Sequence, residues 1–242
     1  MAEHAGDELA TDHRFLSGTM WSLSAVFGAV IGGFFGAVVV FAAVGRLADE
    51  TVGVAITAGM QLVTSAGILY VLSRGWRTDD FPRSVGLVVK LHDWWAFFAG
   101  FALQIAIVLA VVAPTLALLG IEQPEQQQIA QIIESSASKS GLIGLLFVTV
   151  VLAPVVEEVL YRGVLLRAIL RLGLRDRAAI VISAAVFASI HLVDPQAAIV
   201  VPGLFVLGLV LARVTLKTGD LSRAILLHAG VNSLAAIALI LS

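Results

Sequence analysis

Seven times along the chain an apolar stretch runs long enough to cross a bilayer as a helix, which takes about 20 residues. These runs lie at 20–44, 52–73, 95–119, 141–166 (continuing towards 172), 178–193, 198–214 and 224–241. The fold class expected is all-α: a polytopic transmembrane helical bundle of seven spans, or eight if one helix is broken, with any active site inside it. Apolar residues make up 59% of the 242 and charged residues 13%, against about a quarter in soluble domains. That leaves no room for a sizeable soluble domain. The first run exceeds the ~7–15 residues of a signal-peptide core, so it reads as a retained span. The organisation expected is a polar tail (1–19), N-terminal helices with their loops (20–140), and a C-terminal core (141–242).

Charge and cysteine usage exclude whole classes. A net charge of −2 gives no case for nucleic acid as a partner. Cysteine is absent, which removes disulfides, thiolate nucleophiles and Cys-based zinc sites together. Lys and Arg alternate by loop. The connections after spans two, four and six carry most of them, including Arg74, Arg77, Arg83 and Lys90, then Arg167, Arg171, Arg175 and Arg177. The positive-inside rule puts the N-terminus in the cytoplasm and the C-terminus outside.

Smaller features read as packing or anchoring. Gly28, Gly32 and Gly36 recur every four residues and form a ridge for close helix approach within the bundle, or less favourably a dimerisation face. Residues 81–93 mix charged and apolar side chains around Pro82 and are expected at the interface, with Trp94 and Trp95 at headgroup level. The Gln-rich segment 120–140 has Ile129, Ile132 and Ile133 at helical spacing, as a surface helix or a lid would.

Three places set ionisable or amide side chains inside apolar runs, where they are costly and mark a functional site by default. The first is Ala153 to Gly163, with Glu157, Glu158 and Arg162. Neighbouring carboxylates on a helix point about 100° apart, so the two do not face one partner equally. Glu158 and Arg162 are at i and i+4, the spacing of an ion pair. That pair holds structure and leaves Glu157 free to face a cavity as a general base, or else all three form only a buried charge network. The second place is Phe187 with His191, where the Phe shares the helix face and fixes the ring, and His191 is either a satisfied packing histidine or, beside a carboxylate, a partner for a bound water. The third is His228 with Asn232, which share a face and donate to a developing oxyanion, or else clamp helices together. Zinc held by Glu157, His191 and His228 is the chemical rival, although no HExxH spacing is present. A serine mechanism is weaker, because Ser183 and Ser189 have no spacing tied to a base. At 1.5 Å per residue the nominal depths of His191 and His228 differ by more than about 10 Å. Convergence therefore needs tilt, shifted helix ends or an irregular stretch, expected at 194–203 with its two prolines.

Taken in order, EEVLYR, FASIH and HAGVN match the patterns EExxxR, FxxxH and HxxxN. On these motifs, with Pro154 and Gly163 flanking the first, the chain resembles the CAAX-protease and bacteriocin-processing (CPBP, ABI-type) family, which includes the type II CAAX prenyl endopeptidases. The motifs cover 153–232; the first three spans are similar only in being apolar. The resemblance implies a glutamic intramembrane endopeptidase without a cofactor. It has Glu157 and His191 activating water, His228 and Asn232 forming the oxyanion site, and Glu158 and Arg162 in support. Tyr161 stands where that family commonly has Phe. The resemblance also implies eight spans where this sequence shows seven. The partners implied are the lipid bilayer and a membrane-associated or lipidated protein substrate cut near its C-terminus. The rival functions are a transporter or proton pathway, and a non-catalytic immunity or binding protein. The setting expected is a prokaryotic plasma membrane.

Overall fold

Lipid offers the backbone no hydrogen bonds, so a spanning segment must satisfy its own N–H and C=O groups. Each of the seven apolar runs does so as a helix. The computed structural model describes residues 21–44, 50–75, 80–88, 90–121, 131, 139–193 and 198–241. The tail 1–19, most of the Gln-rich segment and residues 194–197 lie outside these. The helices are α1 (Leu23–Val44), α2 (Glu50–Gly75), a short α3 (Phe81–Ser84), α4 (Leu91–Leu119), α5 (Lys139–Arg171), α6 (Asp176–Val193), α7 (Val201–Thr218) and α8 (Ser222–Leu241). All but α3 are long and apolar enough to cross a membrane, and no strand occurs among the described residues. The molecule is an all-α integral membrane bundle, as its composition predicts.

The centre of the bundle is α5. From Glu158 to Leu170 every residue is buried, the pattern of a helix surrounded on all sides. Five helices pack on it: α1, α2, α6, α7 and α8. Outside these, α4 covers α8 and touches α7. Large apolar side chains on the outer faces, such as Phe27, Phe34, Phe35 and Phe98, are exposed, as a lipid-facing surface requires.

Small residues set the closest approaches. On α1 the glycine ridge is partly as expected. Gly36 faces Thr64 of α2 at 2.7 Å from where a Cβ would lie, and Gly32 faces Ile68. Gly28, however, has open space around it; Gly33 is the third contact, against Ser65, whose hydroxyl also donates to Ala29 O at 2.9 Å. Between α4 and α8 the backbones nearly touch: a Cβ on Gly230 would collide with Phe97 O, and one on Gly100 with Leu227 O. Gly230 lies between His228 and Asn232, so this contact fixes the height of the third motif.

Two π segments have a common origin. Val108–Val112 precedes Ala113-Pro114 in α4, and Val148–Leu152 precedes Ala153-Pro154 in α5. In each, the alanine N–H binds the carbonyl five residues back, and the proline that follows has no N–H to give. A third π segment, Val159–Leu165, follows Glu158 without a proline. In it Gly163 lets Val85 O approach within 2.8 Å of its would-be Cβ.

The segment 81–93 does more than lie at the interface. Asp80 caps α3, and the turn after it tucks Val85 fully into the bundle against α5. Gly86 has φ +74 and sits where a Cβ would strike the Arg167 guanidinium, so both conformation and space favour glycine. Its carbonyl accepts from Leu221 N at 2.9 Å. A polar rim continues from there. The Lys90 amine binds Asp220, Asp220 Oδ1 accepts from Ser222 N at 3.0 Å, and Ser222 Oγ accepts from Lys90 N at 3.0 Å. Arg223 Nε donates to Asp93 Oδ1 at 2.8 Å and its guanidinium covers the Trp95 ring at 5.5 Å. This rim locks the start of α8 to the start of α4. Trp94 and Trp95 themselves remain exposed, as interfacial anchors do.

Candidate active site

Glu158 and Arg162 are both fully buried, and Arg162 Nη1 donates to Glu158 Oε1 at 2.8 Å. They lie one turn apart where α5 passes from α to π geometry. Arg162 Nη2 also reaches Gly208 O of α7 at 3.4 Å, and its guanidinium stacks over the Phe187 ring of α6 at 4.5 Å. The close passage of α7 depends on Gly208, whose Cβ would come within 3.0 Å of Ala184 and 3.3 Å of Phe187.

The same Glu158 oxygen takes a second partner, His228 Nδ1 of α8, at 3.0 Å. A carboxylate paired with arginine only accepts, so Nδ1 carries the proton. His228 Nε2 then faces Glu157 Oε2 at 3.8 Å, beyond hydrogen-bond length. The two neighbouring carboxylates therefore reach one imidazole, on different nitrogens and at unequal distances. Their surroundings differ too: the Glu158 side chain is 0% exposed and that of Glu157 is 23% exposed. Among Glu157, Glu158, Arg162 and His228, Glu157 alone keeps a substantial accessible surface.

His191 Nδ1 lies 2.9 Å from Phe187 O. A carbonyl only accepts, so this ring too carries its proton on Nδ1 and presents an unprotonated Nε2 in the neutral state. Phe187 joins the two histidines. Its ring is 5.2 Å from the His191 ring and 5.8 Å from that of His228, with Tyr161 packed edge-on at 5.3 Å. The depth difference expected from span ends is taken up here. His191 stands in a tight 3-10 turn, Ile190–Val193, and a single phenyl ring separates it from His228.

Asn232, one turn beyond His228, donates from Nδ2 to Thr149 O at 2.9 Å. Moving back along α5 from Glu158 to Thr149 corresponds to moving forward along α8 from His228 to Asn232, so the helices cross antiparallel here. Thr149 lies in the π segment that precedes Ala153-Pro154, a local irregularity that motif spacing alone does not bring out.

Other chemistries fit less well. Among the described residues no three His, Asp or Glu side chains gather to hold a metal ion. His191 and His228 each give Nδ1 to an oxygen acceptor and keep Nε2 free, an arrangement zinc-ligating histidines also use, so the zinc set Glu157, His191 and His228 stands as the chemical rival. Ser183 donates to Tyr161 O at 3.2 Å and Ser189 to Val186 O at 3.0 Å, each engaged as a structural hydroxyl.

Residues 139–234 match the family model described as Type II CAAX prenyl endopeptidase Rce1-like. The matched stretch runs from the start of α5 into α8 and contains every residue of the site, in keeping with the resemblance read from the three motifs. No match is found among curated proteins or among solved structures.

Proposed function

We propose that the chain is an intramembrane endopeptidase of the CAAX-processing type, with Glu157 as its general base. The observation that carries this reading is the asymmetry of the two glutamates. Glu158 is spent on Arg162 and His228 inside the bundle. Glu157 approaches the same imidazole only at 3.8 Å and keeps accessible surface.

The chemistry runs as follows. A water held between Glu157 and the His191 Nε2 lone pair gives a proton to Glu157 as its oxygen adds to the scissile carbonyl carbon. The oxyanion takes hydrogen bonds from the second N–H of Asn232 and from His228 Nε2. With Nδ1–H committed to Glu158, His228 donates in this way as the doubly protonated ring, and the carboxylates of Glu157 and Glu158 flank that charge. Collapse of the intermediate breaks the C–N bond, and Glu157 returns its proton to the leaving amine. Glu158, Arg162 and Phe187 hold the ring planes. The substrate class is a membrane-associated or lipidated protein or peptide, cut near its C-terminus. The setting is a prokaryotic plasma membrane with a cytoplasmic N-terminus.

The test is cleavage of a quenched peptide library by the purified wild type and by Glu157→Gln, each with and without chelator. Turnover by the wild type in both conditions, lost in the variant, is the expected result. Equal turnover by both proteins defeats the assignment of Glu157. Activity lost to chelator and restored by zinc instead supports the metal mechanism.

A further inference from the structure

The two π segments that precede a proline each leave a backbone carbonyl without its usual helical donor. In α5, Ala153 N binds Val148 O and Pro154 has no N–H, so Thr149 O is the orphan. In α4, Ala113 N binds Val108 O and Pro114 has none, so Leu109 O is its counterpart. What happens next differs. Leu109 is 67% exposed on the outer face of its helix. Thr149 O faces α8 and takes the Asn232 amide at 2.9 Å.

We propose that Pro154 is a positioning residue for the oxyanion site, acting on Asn232 through Thr149 O. The proposal rests on the peptidase reading above for its catalytic consequence. A terminal amide presents either nitrogen or oxygen after a half-turn about its last bond, and only one of these donates. A carbonyl accepts and never donates, so Thr149 O selects the nitrogen. One Nδ2 hydrogen is thereby fixed on α5. The second, held in the same plane, keeps the orientation needed to meet an oxyanion. Were an N–H supplied to Thr149 O from within its own helix, the amide would lose its partner and its preferred face. Pro154, four residues before the second glutamate, thus frees the acceptor on Thr149, and α8 brings the donor four residues after the histidine that this glutamate holds.

The experiment combines a double-substitution cycle with kinetics. Pro154→Ala, Asn232→Ala and their combination are made in the full chain, with Pro114→Ala as the control that removes the other proline. Unfolding is read by temperature midpoint and cleavage by kcat and KM. If Asn232 caps an orphan carbonyl, Asn232→Ala lowers the midpoint by about 2–4 °C beside Pro154, and hardly at all in the Pro154→Ala background. That readout needs no activity, so it tests the clamp even if the peptidase reading fails. For catalysis, Pro154→Ala lowers kcat about ten- to hundredfold with KM nearly unchanged, and Asn232→Ala then adds little. Pro114→Ala keeps kcat within about threefold of wild type. Additive midpoint shifts overturn the clamp. An unchanged kcat in Pro154→Ala, with an active wild type, overturns its catalytic role. An inactive wild type with non-additive midpoints keeps the clamp and instead counts against the peptidase reading.

Discussion

The rim that joins α4 to α8 and the cluster inside α5 are both built from carboxylates and cations, yet they are organised differently. At the rim, Asp220 receives Lys90 and a backbone N–H, and Asp93 receives Arg223. Lys90 and Arg223 are each 39% exposed, so water completes their solvation. In the interior cluster, Arg162 and Glu158 are sealed from water, Glu158 alone holds the guanidinium, and both carboxylates approach one imidazole. Even there satisfaction is incomplete: Glu158 Oε2 and Arg162 Nε are buried without a hydrogen-bond partner. The rim is an arrangement that fastens connectors at little cost. The interior one is expensive, and structure alone does not account for Glu157 at its edge. A bundle that needed only cohesion has the rim as its example of how to obtain it.

The sharpest way to break this contrast is to remove one charge from each place. Arg162→Met leaves Glu158 buried beside only an imidazole, and removing one partner of a buried pair costs about 3–5 kcal/mol. A fall of that size in unfolding free energy, measured by denaturant titration in detergent, is the expected result, together with loss of cleavage. Glycine carries the same contrast into the backbone. Gly230→Ala drives a Cβ into Phe97 O beside the site, and is expected to cost about 1–3 kcal/mol and to lower kcat by shifting His228 and Asn232. Gly219→Ala at the rim meets no atom within 4 Å; its φ of +75 alone is strained, for about 1 kcal/mol and no change in kcat. Lys90→Met at the rim has a comparably small effect. Lys90 is 39% exposed but Asp220 is buried and keeps the Ser222 N–H, so the expected cost in the same titration is about 1 kcal/mol, with cleavage unchanged. A rim substitution as damaging as Arg162→Met would erase the distinction.

Much of this arrangement is legible in the residues themselves. The run lengths gave the helices to within a few residues, because spanning a bilayer leaves few alternatives. The i, i+4 spacing of Glu158 with Arg162 predicted their contact, and that of Phe187 with His191 predicted theirs. Other parts were not legible because they depend on how helices are rotated and crossed. That both glutamates reach His228 follows from where α8 lies: the imidazole stands between two neighbouring side chains of α5 and turns a different nitrogen to each. That Phe187 stands between two histidines follows from α6 and α7 closing on Gly208. The tuck of Val85 against Gly163 is likewise a packing result. Gly28 shows the opposite limit: regular glycine spacing implies one continuous ridge, yet α2 crosses it only at Gly32 and Gly36.

The claim on which the rest depends is that Glu157 and Glu158, adjacent in sequence, divide chemistry from structure. Turnover and unfolding measured side by side for Glu157→Gln and Glu158→Gln test it most directly. The division predicts that Glu157→Gln keeps its unfolding free energy within about 1 kcal/mol while kcat falls about 10²–10⁴-fold, the usual share of a general base. It predicts that Glu158→Gln, which strands Arg162, loses about 3–5 kcal/mol of stability. A Glu157→Gln protein that cleaves within tenfold of wild type, or a Glu158→Gln protein as stable as wild type, would contradict it.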